Sequence, residues 1–145
     1  MTMRTRIAPF ALLLALASAA AAAPTPYKVT DHSSEALMTG AEAERILRTQ
    51  VDDSQRARVR KLYPASKWGF VTQVEGGFTP DKICVVTARV MMVPRSMGGR
   101  LVFSPKESAT TFGAQPGATV DQCRALASDK LTEAVRALLT SLILP

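Results

Sequence analysis

The chain has 145 residues, 47% of them hydrophobic and 21% charged, with a net charge of +6 and two cysteines. That length and mixture exclude a multi-domain enzyme, a coiled-coil rod and a disordered polymer, and no second long apolar stretch offers a polytopic membrane protein. Arg4 and Arg6 precede an apolar run from Ala8 to Ala17 and a string of alanines ending at Ala23, the pattern of a secretory signal peptide over residues 1–23.

The run is too short for a comfortable span, which needs roughly 20 residues. No cysteine follows the alanines to carry a lipid, so cleavage gives a soluble product without stable membrane insertion. The remainder is basic by +4, and the chain has no Asn to accept an N-glycan. These features point to a bacterial periplasmic or secreted protein.

Residues 24–38 carry prolines and small polar residues without a period and read as a flexible leader to a single domain over 39–145. Thr39-Gly-Ala-Glu42 has capping-box spacing, which starts a helix whose apolar side is Ile46, Leu47 and Val51. Glu44 stands one turn before Arg48 in the order that favours an ion pair. Asp52-Asp53-Ser54 interrupts, and Pro64 ends any continuation through Tyr63.

From Trp68 the period becomes two. Trp68, Phe70, Thr72 and Val74 alternate with Gly69, Val71, Gln73 and Glu75 in a strand that closes at Gly76-Gly77. A long strand from Lys82 to Val93 follows across a turn at Thr79-Pro80-Asp81. A third is expected over Arg100 to Phe112, at an edge because of Pro105. Thr119-Val-Asp-Gln122 is a second capping box, opening a helix in which Val120, Cys123, Ala127, Leu131, Val135, Leu138 and Leu142 recur at spacings of three and four. The expected fold is two-layer α+β: a three-stranded antiparallel meander between an N-terminal and a C-terminal helix.

Parity then pairs the cysteines. Cys84 shares a wholly apolar strand face with Val86, Ala88, Val90 and Met92, and Cys123 lies on the apolar stripe of the last helix. Both sulfurs point into one core, and an oxidising compartment joins them. The other face, with Val71, Ile83, Val85, Met91, Val93 and Val102, is more apolar than water-facing sheets usually are. Either the first helix covers it or a partner docks there.

Catalytic chemistry is hard to assemble. His32, the sole histidine, stands between Asp31 and Ser33, but neighbours on an extended chain diverge where a triad converges. Zinc needs three or four ligands, and one His with two paired cysteines does not supply them. Met91 and Met92 point to opposite sides of one strand, which splits any copper(I) cluster that Met97 could join. No cofactor or metal is expected. Glu75, Asp81, Glu107 and Asp121 lie near turns, but nothing singles out a pair for two-carboxylate hydrolysis.

One feature is uneven. Arg56, Arg58, Arg60, Lys61 and Lys67 fall within residues 54–67 without an acid, so the whole net positive charge of the exported chain sits there. These side chains suit phosphate and carboxylate, or form a solvated face paired with Asp52 and Asp53. Tyr63, Trp68 and Phe70 lie nearby, but an exported chain without a groove motif is a poor nucleic-acid binder. The expectation is a non-enzymatic module that recognises a protein or an anionic envelope component through the basic segment, the second sheet face, or both. A small carboxylate-dependent hydrolase is the rival. A third possibility is a structural subunit using Leu138, Leu139, Leu142, Ile143 and Leu144.

Overall fold

A computed structural model describes residues 25–51 and 55–144, with the backbone alone at 55 and 56. The expected signal peptide over 1–23 and the Asp52-Asp53-Ser54 interruption lie outside the described residues. In chain order the elements are β1 (Lys28–Asp31), α1 (Gly40–Val51), α2 (Gln55–Leu62), β2 (Trp68–Phe78), β3 (Ile83–Pro94), β4 (Glu107–Pro116) and α3 (Val120–Ser141). The sheet has the order β1-β2-β3-β4. The last three strands form the expected antiparallel meander, and β1 adds a parallel fourth, making the sheet mixed.

That first strand falls in the segment expected to be a leader. It forms because Tyr27 and Val29 have somewhere to go: Tyr27 is buried, its ring edge-on to Phe70 at 5.0 Å, and Val29 packs on the same core. Asp31 then ties the strand down. One carboxylate oxygen accepts from Thr72 Oγ1 and from Ser33 Oγ, each at 2.7 Å, and the other accepts from the Ser33 amide at 3.1 Å. Ser33 Oγ in turn accepts from the Val74 amide at 2.9 Å. Thr72, fully buried, is satisfied in this way.

The third meander strand is displaced from the expected span. Pro105 has no N–H for a ladder, and β4 begins only at Glu107. It runs through Gly113, where a Cβ would lie about 3.0 Å from Leu126 and 3.1 Å from Lys130 of α3, so the glycine permits close packing of the helix on the strand. Likewise β2 passes through Gly76-Gly77 to Phe78. Gly76, at φ 141°, has no room for a Cβ, which would stand 2.0 Å from the Val85 carbonyl oxygen.

All three helices lie on one side of the sheet. Their apolar residues share a core with Phe70, Val74, Cys84, Val86, Ala88, Val90 and Met92. The Thr119 capping box is complete, with both reciprocal bonds to Gln122. At α1 only the Thr39 side chain caps, accepting from the Glu42 amide at 3.2 Å, while Glu42 Oε1 accepts from Ser128 Oγ of α3 at 2.8 Å. Glu44 and Arg48 make the expected ion pair. The Cys84–Cys123 disulfide is formed, with Cα atoms 5.7 Å apart, and pins α3 onto β3. Leu138, Leu139 and Leu142 are buried and Ile143 half-buried, leaving Leu144 exposed.

The first helix therefore does not cover the second sheet face. It sits beside α3, joined also by Arg136 Nε donating to Gln50 Oε1 at 2.9 Å. The cover is instead the chain between β3 and β4. Arg95 and Leu101 bridge as a short hairpin, and Leu101 packs on Val71, Met91 and Val93. This roof protects one half of the outer face, and among the described residues nothing covers the other half.

Candidate functional site

The basic segment is built around Val59, which is fully buried and seats α2 on the core. Arg58, Lys61 and Lys67 are exposed; the Arg56 side chain lies outside the described residues. Arg60 turns back toward the protein. Its Nη1 donates to the Thr25 carbonyl at 3.0 Å, and its guanidinium stands 5.2 Å from the centre of the Tyr27 ring. Tyr27 donates its hydroxyl to the Tyr63 carbonyl at 2.6 Å. Burial pushes the Tyr27 phenol above its ordinary range, opposed by the Arg60 charge. The nearby aromatics present no stacking platform: Tyr63 and Trp68 pack edge-to-face at 5.4 Å, and Phe70 is buried. Arg60 thus serves the β1 junction, and the exposed Arg58, Lys61 and Lys67 flank it.

The outer sheet face holds more. Period-two alternation along β1 sends Lys28, Thr30 and His32 outward. Below the roof they meet Arg100, Leu101 and Phe103, over a floor of Val71 and Val93, around a groove of about 310 Å³. Lys28 Nζ donates to the Gly99 carbonyl at 3.3 Å, which brings its charge to the roof. The roof is anchored at its root, where the Arg95 amide donates to the Lys67 carbonyl at 2.7 Å and Arg95 Nη1 to the Ala65 carbonyl at 2.6 Å. Among the described residues the groove lining has three potentially cationic side chains and no carboxylate.

His32 is therefore parted from Asp31 and Ser33, which bond to each other and to β2. The four acids near turns are all exposed. Glu75 faces the outer side of the sheet and accepts from Gln73 at 2.7 Å, while Glu107 has the inward parity of β4. Met91 and Met92 are buried on opposite faces, and Met97 is fully exposed. Among the described residues no three His, Cys, Asp or Glu side chains gather as metal ligands.

Lys28 and Arg100 are absent from the sequence-based candidates, and His32 enters there only as a triad member with Asp31 and Ser33, not as part of a groove. The alternation of Lys28, Thr30 and His32 was the available signal, masked by the prolines before it. Arg100 carries none, since only the folded-back roof brings it to β1.

The bare half carries a shallow depression of about 610 Å³ lined by Glu75, Val85, Thr87, Phe112 and Ala114 among others. Phe112 is 72% exposed. Among the described residues no helix is long and apolar enough to cross a membrane.

No family model matches the chain, and no curated protein matches it. Among solved structures it is similar to the PelC dodecamer from Paraburkholderia phytofirmans, at 14% identity over 77% of this chain and 84% of that one, with a TM-score of 0.42. It is also similar to the minor lipoprotein from Acinetobacter baumannii, at 8% identity over 79% of this chain and 90% of that one, with a TM-score of 0.40.

Proposed function

We propose that this chain is an exported, non-enzymatic binding module that recognises an anionic envelope component: an anionic group carried on an apolar stem, held in the roofed groove of the outer sheet face. The observation that carries this reading is the lining of that groove, where Lys28, His32 and Arg100 surround Val71, Val93, Leu101 and Phe103 without a carboxylate. An anion there gains charge-assisted hydrogen bonds from a planar guanidinium and an ammonium, and a stem displaces water from the apolar wall. The disulfide supports the export part of the reading, since such bonds persist in oxidising compartments.

Calorimetric titration with decyl phosphate below its micelle concentration, against decanol as the uncharged control, tests the groove. The phosphate binds at least about tenfold more tightly, the equivalent of one charge-assisted bond, and the preference weakens as salt rises. The paired change Lys28→Ser and Arg100→Ser abolishes it, whereas Arg58→Ser, Lys61→Ser and Lys67→Ser together leave it. The reverse pattern would place anion recognition on α2 and remove the groove from the mechanism.

A further inference from the structure

The two ends of the sheet are finished differently. At one, β1 is only four residues long and includes Lys28 and Asp31, the short and charged kind of edge that resists further pairing. At the other, β4 is ten residues long, and from Ser108 to Gln115 it has no charge and no proline. Its register with β3 is continuous, without a bulge, and among the described residues nothing pairs with its free side. Such an edge is a ready template for another strand.

Which backbone groups it offers follows from the ladder. The Gly117 amide donates to the Lys82 carbonyl at 3.2 Å, directly across the β3–β4 register, so odd-numbered residues of β4 bond to β3. The N–H and C=O groups of Ser108, Thr110, Phe112 and Ala114 therefore face away from the sheet, the Ser108 amide meeting only the exposed Glu107 carboxylate at 3.4 Å, a contact that a partner strand replaces.

We infer that β4 pairs antiparallel with β4 of a second copy of this chain, about a twofold axis through Thr111 and perpendicular to the sheet. This register joins Ser108 to the partner's Ala114 and Thr110 to the partner's Phe112, and the reverse, each pair exchanging both its N–H···O bonds. Shifting the axis by one residue, to Phe112, brings Pro116 into the ladder, where it has no N–H to give. On the outer face Phe112 lies opposite the partner's Thr110 and diagonal to the partner's Phe112, within reach of an aromatic contact. That accounts for the most exposed phenylalanine in the described chain.

The helical layer fits the same operation. With α3 packed on β3 and β4 alike, an axis midway between the two strands lies half a strand spacing, ~2.4 Å, inside β4. Pairing the two β4 strands at the usual strand spacing then sets α3 and its copy about 10 Å apart, an ordinary helix-packing distance rather than a clash.

Sedimentation equilibrium of the exported, oxidised chain at tens of micromolar is the test. Wild type sediments as two chains. Thr110→Pro and Thr110→Lys sediment as one, with the circular dichroism and melting temperature of a folded monomer, because the Thr110 amide makes no bond within its own sheet. The Lys variant keeps the test open should proline disturb the strand. A wild-type mass of one chain, or an assembly of any size whose chain number both variants leave unchanged, overturns the inference. Neither variant touches the groove, so discrimination between decyl phosphate and decanol stays as in wild type and the two proposals fail separately.

Discussion

At the scale of single residues, Asp31 and Tyr27 convert an otherwise unremarkable segment into a strand. Asp31 serves Thr72 and Ser33 together, and Thr72 has no access to water. Asp31→Ala therefore leaves a buried hydroxyl unpaired and lowers stability by about 2–3 kcal/mol, read from the urea midpoint. Adding Thr72→Val removes the orphaned group, and the double variant recovers about 1 kcal/mol; strictly additive losses in the mutant cycle would show that the two do not act on each other. Tyr27 gives a pH signature. Its folded phenol titrates above the unfolded one, because burial outweighs the Arg60 charge, so the folded state holds its proton longer. The stability this contributes is present below pH about 10 and is lost as pH rises from there through the folded value. Tyr27→Phe lowers stability by about 1 kcal/mol at pH 8, by loss of the bond to Tyr63, and flattens the decline above pH 10. An equally steep alkaline decline in the variant would move the effect to other groups.

At the scale of elements, what could be read from the chain was what repeats locally. Cys84 fell into place by strand parity and Cys123 by helical spacing, and Thr119 with Gln122 marked the start of α3. What escaped depends on distant partners. Val29 lies between Lys28 and Thr30 in a strand of four residues, which gains its order from β2, about 40 positions away. Leu101-Val102-Phe103 has strand-like letters and became a roof, while Gly113, a loop-like letter, became part of β4, where α3 packs closely on it. The disulfide joins the two elements that were legible, closing a loop with a sequence separation of 39. Replacing both Cys84 and Cys123 by Ala releases that restraint on the unfolded chain and lowers stability by about 2–4 kcal/mol, seen as a lower melting temperature under non-reducing conditions. Under reducing conditions wild type falls to the level of the variant. A variant as stable as oxidised wild type would show that α3 is held by packing alone.

At the scale of the whole molecule, the sheet is dressed unevenly: among the described residues one face has three helices, the other a single strap. The strap suffices because only Val71, Met91 and Val93 on that face are fully apolar and buried, while Gln73, Thr87, Arg89 and Thr110 tolerate water. It is fixed at Arg95 and at Lys106, whose amide donates to the Met92 carbonyl at 2.9 Å. Between those points Leu101 alone enters the apolar cluster, and Gly69 beneath it is so close that a Cβ would stand 2.6 Å from the Leu101 side chain. The seat of the strap thus rests on one leucine. Leu101→Ala removes about 1–2 kcal/mol of apolar burial, and the loss is local because the helical core lies on the other side of the sheet. The amides of Ser96, Gly99 and Val102, which bond within the strap and to its root, exchange faster by about tenfold, while those of β2 and β3 keep their protection. Since the strap carries Arg100 to Lys28, the same variant weakens the preference for decyl phosphate although the leucine bears no charge. Gly69→Ala is harsher, because its Cβ would stand 2.7 Å from the Lys28 carbonyl oxygen as well as against Leu101, so it strains the β1–β2 pair together with the strap. Faster exchange throughout β2 and β3 in Leu101→Ala would mean that strap and sheet open together, and that the groove is a property of the whole fold rather than of one hinged segment.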